Sequence, residues 1–100
     1  MKLVVNSNGG HYLIKVVGDV DLYSAPTLKE AFRDAKDSDY EGFQVDLADV
    51  HYIDSSGIGA LLFGAGIAKK NGASIACINV REEIKALFQS VNLAGMFKVA

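Results

Sequence analysis

Four short strand-like runs, the first two rich in valine and isoleucine, are interleaved with three stretches of helical periodicity, and that order leaves this chain few folds to choose from. Residues 3–6 and 11–17 are apolar strand-like runs separated by Asn6-Ser7-Asn8-Gly9-Gly10. Asn and Gly accept positive φ, so this segment predicts a hairpin turn. The second run is apolar on both parities, broken only by Lys15, which predicts an interior strand. Residues 43–47 alternate strictly, and residues 73–80 form a further apolar strand.

The helices fall between these runs. Leu28, Ala31, Phe32 and Ala35 recur at i, i+3, i+4 and i+7, and Ser24 and Pro26 open that helix, Pro being tolerated in a first turn. Residues 36–42 read as a polar loop. A second helix follows Asp54-Ser55-Ser56-Gly57, with Ile58, Leu61, Leu62 and Ala65 on its inner face and Asn71-Gly72 as its stop. A third starts near Arg81, with Ile84, Leu87, Phe88 and Val91 facing inward and Asn92 as its cap. Residues 96–99 are expected to add a short strand or to pack on the core. One antiparallel hairpin followed by strand–helix–strand units gives a mixed α/β sheet with helices packed on it. With 100 residues and no linker or repeat, the expectation is one domain over residues 1–100.

Composition removes several classes of function. Ten basic and 12 acidic residues give a formal charge of -2, and no Lys/Arg cluster exceeds Lys69-Lys70. The basic stripe expected of a nucleic-acid binder is missing. The run 58–68 is too short and too glycine-rich to span a bilayer, and the N-terminus turns polar after three apolar positions. These features predict a soluble cytoplasmic protein without membrane or nucleic-acid partners. The lone Cys77 has no partner for an internal disulfide and is expected to be a small buried residue.

The segment Asp54-Ser55-Ser56-Gly57-Ile58-Gly59 lies where a strand hands over to a helix, the usual place for a site in an open α/β sheet. The first N–H groups of a helix lack internal partners and carry the positive end of its dipole. Asp54, Ser55 and Ser56 are all competent N-caps, each worth about 1 kcal/mol over alanine. One cap suffices, so hydroxyls are left to spare. Gly57, Gly59, Gly64 and Gly66 occupy the same helix, at about 1 kcal/mol apiece against alanine. They serve either close approach of the helix to the sheet or a low-relief surface beside Ser55.

Motifs for turnover are missing. Gly59 and Gly64 have the spacing of a phosphate loop, but Ala65-Gly66 stand where Lys and Ser/Thr are required. A nucleophile elbow needs glycine two positions before its serine, where Ser55 has Ile53 and Ser56 has Asp54. His11 and His51 are the only histidines, and no His/Cys/Asp/Glu group has metal-ligand spacing. The chain reads as a non-enzyme with no cofactor.

Four segments resemble the anti-sigma-factor antagonists, the bacterial proteins of the STAS fold. Gly18-Asp19-Val20-Asp21-Leu22-Tyr23-Ser24-Ala25-Pro26 is similar to the family's G-[ED]-x-D-x-x-[ST]-A segment. Val50 to Gly59 is similar to its phosphorylation motif, a hydrophobic residue followed by D-S-[ST]-G-[LIV]-G. Lys70-Asn71-Gly72-Ala73 and Leu87-Phe88 match later landmarks, with Ala73, Gln89 and Asn92 departing from the usual Gly, Asp and Gly. The resemblance implies a STAS-type mixed sheet. It implies Ser55 as phosphoacceptor and a partner-binding face of Asp21, Ser24, Asp54, Ser55, Ser56, Gly57, Ile58 and Gly59. It also implies an anti-sigma factor with serine kinase activity as partner, a phosphatase that resets Ser55, and a monomer or weak dimer. Three other readings stay open: a STAS module of a stress-sensing or lipid-transport assembly, an enzyme using Ser55 as nucleophile, and a nucleotide or small-ligand binder at the helix N-terminus.

Overall fold

The computed structural model describes residues 1–35, 40–91 and 95–100. Its elements are β1 (Lys2–Asn8), β2 (His11–Val17), α1 (Ala25–Ala35), β3 (Gly42–Asp49), α2 (Ser55–Lys70), β4 (Ser74–Ile78), α3 (Glu82–Ser90) and β5 (Lys98–Val99). The strands lie in the order β1-β2-β3-β4-β5. β1 is antiparallel to β2, and every later pair is parallel. This is the mixed α/β sheet the alternation predicts.

One face of the sheet is buried because strand side chains alternate and the apolar ones share a parity. Ile14, Val45 and Cys77 form one row across the parallel strands, which exposed Val99 extends on β5. Tyr12, Phe43 and Ile75 form another. These rows meet Leu28, Phe32 and Ala35 of α1, Ala60, Leu61, Ala65 and Ala68 of α2, and Ile84 and Phe88 of α3 in one core. Phe32 meets Phe43 edge-on at 5.2 Å between ring centroids, an arrangement aromatic quadrupoles favour. The opposite parity, Leu13, Gln44, Ala76 and Lys98, is half-buried or exposed.

Several boundaries move. β1 runs through to Asn8, so the hairpin turn is Gly9-Gly10 alone, both at positive φ (56° and 86°). Such a two-residue turn matches the twist of its strands. β3 already begins at Gly42 and β4 shortens to Ser74–Ile78. The inner face of α2 also shifts. Gly57, Ala60, Leu61, Gly64, Ala65 and Ala68 are buried, whereas Ile58 and Leu62 are half-buried. Small residues rather than large apolar ones mark this face because α2 lies hard against its neighbours. A Cβ at Gly64 would stand 2.5 Å from the Phe32 ring, so this close approach is to α1, not to the sheet. Val91 is exposed, since α3 ends one residue before it. Asn92, expected as the cap of α3, lies outside the described residues, as do residues 36–39 of the expected loop. The short final strand forms as β5, with Phe97 buried beside Phe88.

Candidate functional site

The site is assembled from the β2–α1 and β3–α2 connections. Strand pairing continues past the regular strands and binds these two loops together. Gly18 donates its N–H to the Asp49 carbonyl (3.1 Å), Val20 to that of Tyr52 (3.0 Å), and Asp54 to that of Val20 (3.1 Å). Val20 and Ile53 form an isolated parallel bridge, and both side chains are buried. The N-terminus of α2 is thus set beside the loop that leads into α1.

Asp54 is the N-cap of α2. Its extended backbone (φ -100°, ψ -172°) lets Oδ1 accept from the Gly57 N–H at 3.0 Å. Its second oxygen, Oδ2, accepts from the Leu22 N–H at 3.2 Å, across the gap to the other loop. One carboxylate therefore caps a helix and tethers its neighbour. Gly57 is buried beneath this junction. A Cβ there would come within 2.5 Å of the Val20 carbonyl oxygen and 2.7 Å of the Ile53 side chain. Of the residues expected on the partner-binding face, Gly57 alone is buried, and its missing side chain serves the contact between loop and helix.

The β2–α1 loop is held by its own polar groups. Asp21 Oδ1 accepts from the N–H of Tyr23 (3.0 Å) and of Ser24 (3.1 Å). The Ser24 hydroxyl accepts from the Asp21 N–H (2.9 Å) and has two acceptors in reach, the Asp19 carbonyl at 2.9 Å and Asp21 Oδ1 at 3.2 Å. The Ser24 amide, and after it the Tyr23 amide and Ser24 hydroxyl, hold the Asp21 carboxyl below its ordinary range against the opposing effect of desolvation. Asp21 and Ser24 thus shape the loop, and both are half-buried.

Ser55 is the first residue of α2 and is exposed, and Ser56 is half-buried. Among the described residues neither hydroxyl has a hydrogen-bond partner, because Asp54 already caps the helix. Ile58 and Gly59 are half-buried, and nothing lies within 4 Å of where a Gly59 Cβ would stand. The spare hydroxyl and the low-relief surface therefore coincide at Ser55 and Gly59, one helical turn apart. Neither loop nor the first half of α2 contributes a lysine or arginine: residues 18–26 and 50–64 contain none, while Asp19, Asp21 and Asp54 stand in them.

The sequence reading did not place three apolar side chains on this face. Leu22 is 64% exposed, Tyr23 88% and Tyr52 53%, and they sit on the two tethered loops. Their signal was present: Leu22-Tyr23 and Tyr52 fit no strand or helix periodicity that would bury them. His51 is exposed and lies 3.9 Å from Glu83, which also accepts from Arg81 Nε at 3.0 Å. Among the described residues no group of three or more His, Cys, Asp or Glu can hold a metal. A groove of about 1170 Å³ lies elsewhere, between the C-terminal half of α2, α3 and β5, with Leu62, Ala65, Phe88 and Phe97 among its lining residues. No helix among the described residues is long and apolar enough to cross a membrane.

Comparison with known proteins agrees with this architecture. The family model described as "Mlab, STAS domain" matches residues 3–99. The anti-sigma-B factor antagonist of Bacillus subtilis (strain 168) is 28% identical over 96 residues, covering 96% of this chain and 87% of the relative. The anti-sigma-B factor antagonist of Staphylococcus epidermidis is 30% identical over 88 residues, covering 88% and 82%. Among solved structures, the Bacillus cell fate determinant SpoIIAA in its phosphorylated form superposes with a TM-score of 0.77 at 15% identity, over 99% of this chain and 91% of that one. With its mixed sheet, its tethered loops and a match along almost its whole length, the chain belongs to the STAS-domain family.

Proposed function

We propose that this chain is an anti-sigma-factor antagonist, a cytoplasmic non-enzymatic switch governed by phosphorylation of Ser55. The observation that carries the reading is the exposed, unpartnered Ser55 hydroxyl at the head of α2, directly after the capping Asp54. The anti-sigma-B factor antagonists similar to this chain support the regulatory role. Unmodified, the face formed by Leu22, Tyr23, Tyr52, Ser55, Ile58 and Gly59 docks on an anti-sigma factor that is also a serine kinase, and a sigma factor is released. Phosphorylation adds about -1.5 to -2 charge at Ser55, on a surface that already carries Asp19, Asp21 and Asp54 and no cation from the same segments. The partner surface that accepted three apolar side chains then faces a desolvated dianion. A phosphatase restores the hydroxyl.

The test is binding of purified wild type, Ser55→Ala and Ser55→Asp to the serine-kinase anti-sigma factors of the host, by isothermal titration calorimetry. Burying an uncompensated charge at an interface costs several kcal/mol, which is about a hundredfold or more in affinity. Ser55→Asp is expected to lose binding by that factor while Ser55→Ala retains it. Wild-type affinity in Ser55→Asp, or a kinase reaction that modifies some other residue, refutes the reading.

A further inference from the structure

We propose that β1 is a docking edge for a second copy of this chain, the two β1 strands pairing antiparallel into one continuous ten-stranded sheet. β1 is an edge strand with a single neighbour, β2. Its pairing runs without a bulge from Lys2 opposite Val17 to Asn8 opposite His11, so the free edge is seven residues long and regular. The opposite edge, β5, has only two residues. Edge strands present a row of unpaired N–H and C=O groups, and proteins that stay monomeric blunt them with charge, proline, bulges or a covering element. Apart from Lys2 at its first position, β1 shows none of these among the described residues: Leu3-Val4-Val5-Asn6-Ser7-Asn8 carries no charge and no proline. Val4 and Val5 are 43% and 39% exposed, one on each face of the sheet.

The sequence of β1 suits itself as partner. A two-fold axis at Val5 places Val5 against Val5, Val4 against Asn6, Leu3 against Ser7 and Lys2 against Asn8. Such a contact is isologous and closes as a dimer rather than growing into a fibre. The only charges, the two Lys2 side chains, fall at opposite ends of the ladder. Six residues at about 3.4 Å each separate them by roughly 20 Å, well beyond the Debye length of about 8 Å at physiological salt. A formal charge of -2 leaves little repulsion between whole molecules. The contact is a small one. A strand of roughly 24 Å on a sheet edge about 10 Å thick covers a few hundred Å² per partner, below the roughly 800 Å² per partner of a stable standard interface. The dimer is therefore weak and concentration-dependent.

Sedimentation equilibrium across the micromolar to millimolar range tests this. The average mass is expected to rise from 10.7 kDa toward twice that value as concentration increases. Val5→Lys sets like charges against each other on the two-fold axis and is expected to hold the chain at 10.7 kDa throughout. Hydrogen exchange on the unaltered chain gives a second readout that needs no variant: β1 amides should gain protection with concentration while β4 amides do not. A wild-type chain that stays monomeric at millimolar concentration overturns the proposal. So does a dimer that survives Val5→Lys at wild-type strength, or concentration-dependent protection that appears at the Ser55 face, in the α2–α3 groove or anywhere other than β1.

Discussion

Gly64 and Gly66 lie two residues apart in α2, and the same substitution at each should change stability in opposite directions. Replacing a helix-interior glycine with alanine gains about 1 kcal/mol from backbone entropy alone. At Gly66, which is exposed and has nothing within 4 Å of an added Cβ, that gain stands unopposed. At Gly64 the added methyl would sit 2.5–2.6 Å from three carbons of the Phe32 ring. The ring has little room to retreat, since Phe32 is 0% exposed and packs edge-on against buried Phe43. Overpacking of this kind costs about 1–3 kcal/mol, and a rigid, enclosed ring places the cost in the upper part of that range. The net expectation is a loss of about 1–2 kcal/mol for Gly64→Ala and a gain of about 1 kcal/mol for Gly66→Ala. In a domain of this size each kcal/mol moves Tm by about 4–8 °C. Urea unfolding with unchanged m-values measures both. A double-mutant cycle with Phe32→Leu adds the mechanism: the penalty of Gly64→Ala should shrink once the ring is gone. Equal or greater stability in Gly64→Ala, or a penalty indifferent to Phe32, refutes the argument that contact with α1 fixes glycine there.

Two further outcomes follow from titratable groups. The folded-state pKa of Asp21 is depressed, first by the Ser24 amide, so its stabilisation is fully present above the unfolded value of about 3.9 and is lost as pH falls through the lower folded value. Asp21→Asn should therefore be less stable than wild type at neutral pH, with the gap closing under acid; a gap of constant size at low pH contradicts this, as read from urea midpoints against pH. Burial pushes the Cys77 thiol up to about 12, so a thiol-disulfide reagent at mildly alkaline pH should label it only after denaturant is added, and labelling of the native chain at the unfolded rate would show that the β4 row is not closed.

Element order was legible because period-2 and period-3.6 patterns depend only on which residues are apolar. Val45 could be placed inward from the strict alternation of residues 43–47, whereas β2 is apolar on both parities and the face of Ile14 is set by its pairing with Val45. The face of α2 was less legible. Its large apolar residues, Ile58 and Leu62, carry the usual signal for burial, yet the buried positions are led by Gly57, Ala60 and Gly64. Contact at that distance is decided by what stands opposite, here the Val20 carbonyl and the Phe32 ring, and a single sequence does not contain that pairing. The candidate site divides in the same way. Asp54 and Ser55 announce themselves through cap chemistry. Leu22, Tyr23 and Tyr52 stand at variable positions of the two motif segments, and only the structure shows them exposed on the loops that the Asp54 tether joins.

The tether through Asp54 bears on how a phosphate at Ser55 would act. Asp54 uses one oxygen on the Gly57 N–H and the other on the Leu22 N–H. The Ser55 and Ser56 N–H groups precede the first intrahelical bond, which is donated by Ile58 to the Asp54 carbonyl. Those two donors are available to a phosphate without displacing Asp54, and the helix dipole favours an anion there. The cap, the Val20–Ile53 bridge and the loop shape held by Asp21 and Ser24 can all persist in the modified chain. On the proposed reading the switch therefore works by charge on a surface whose backbone stays in place. Refolding of the β2–α1 loop is not required to turn the partner away, and the Asp21 and Ser24 amides should keep their exchange protection after phosphorylation.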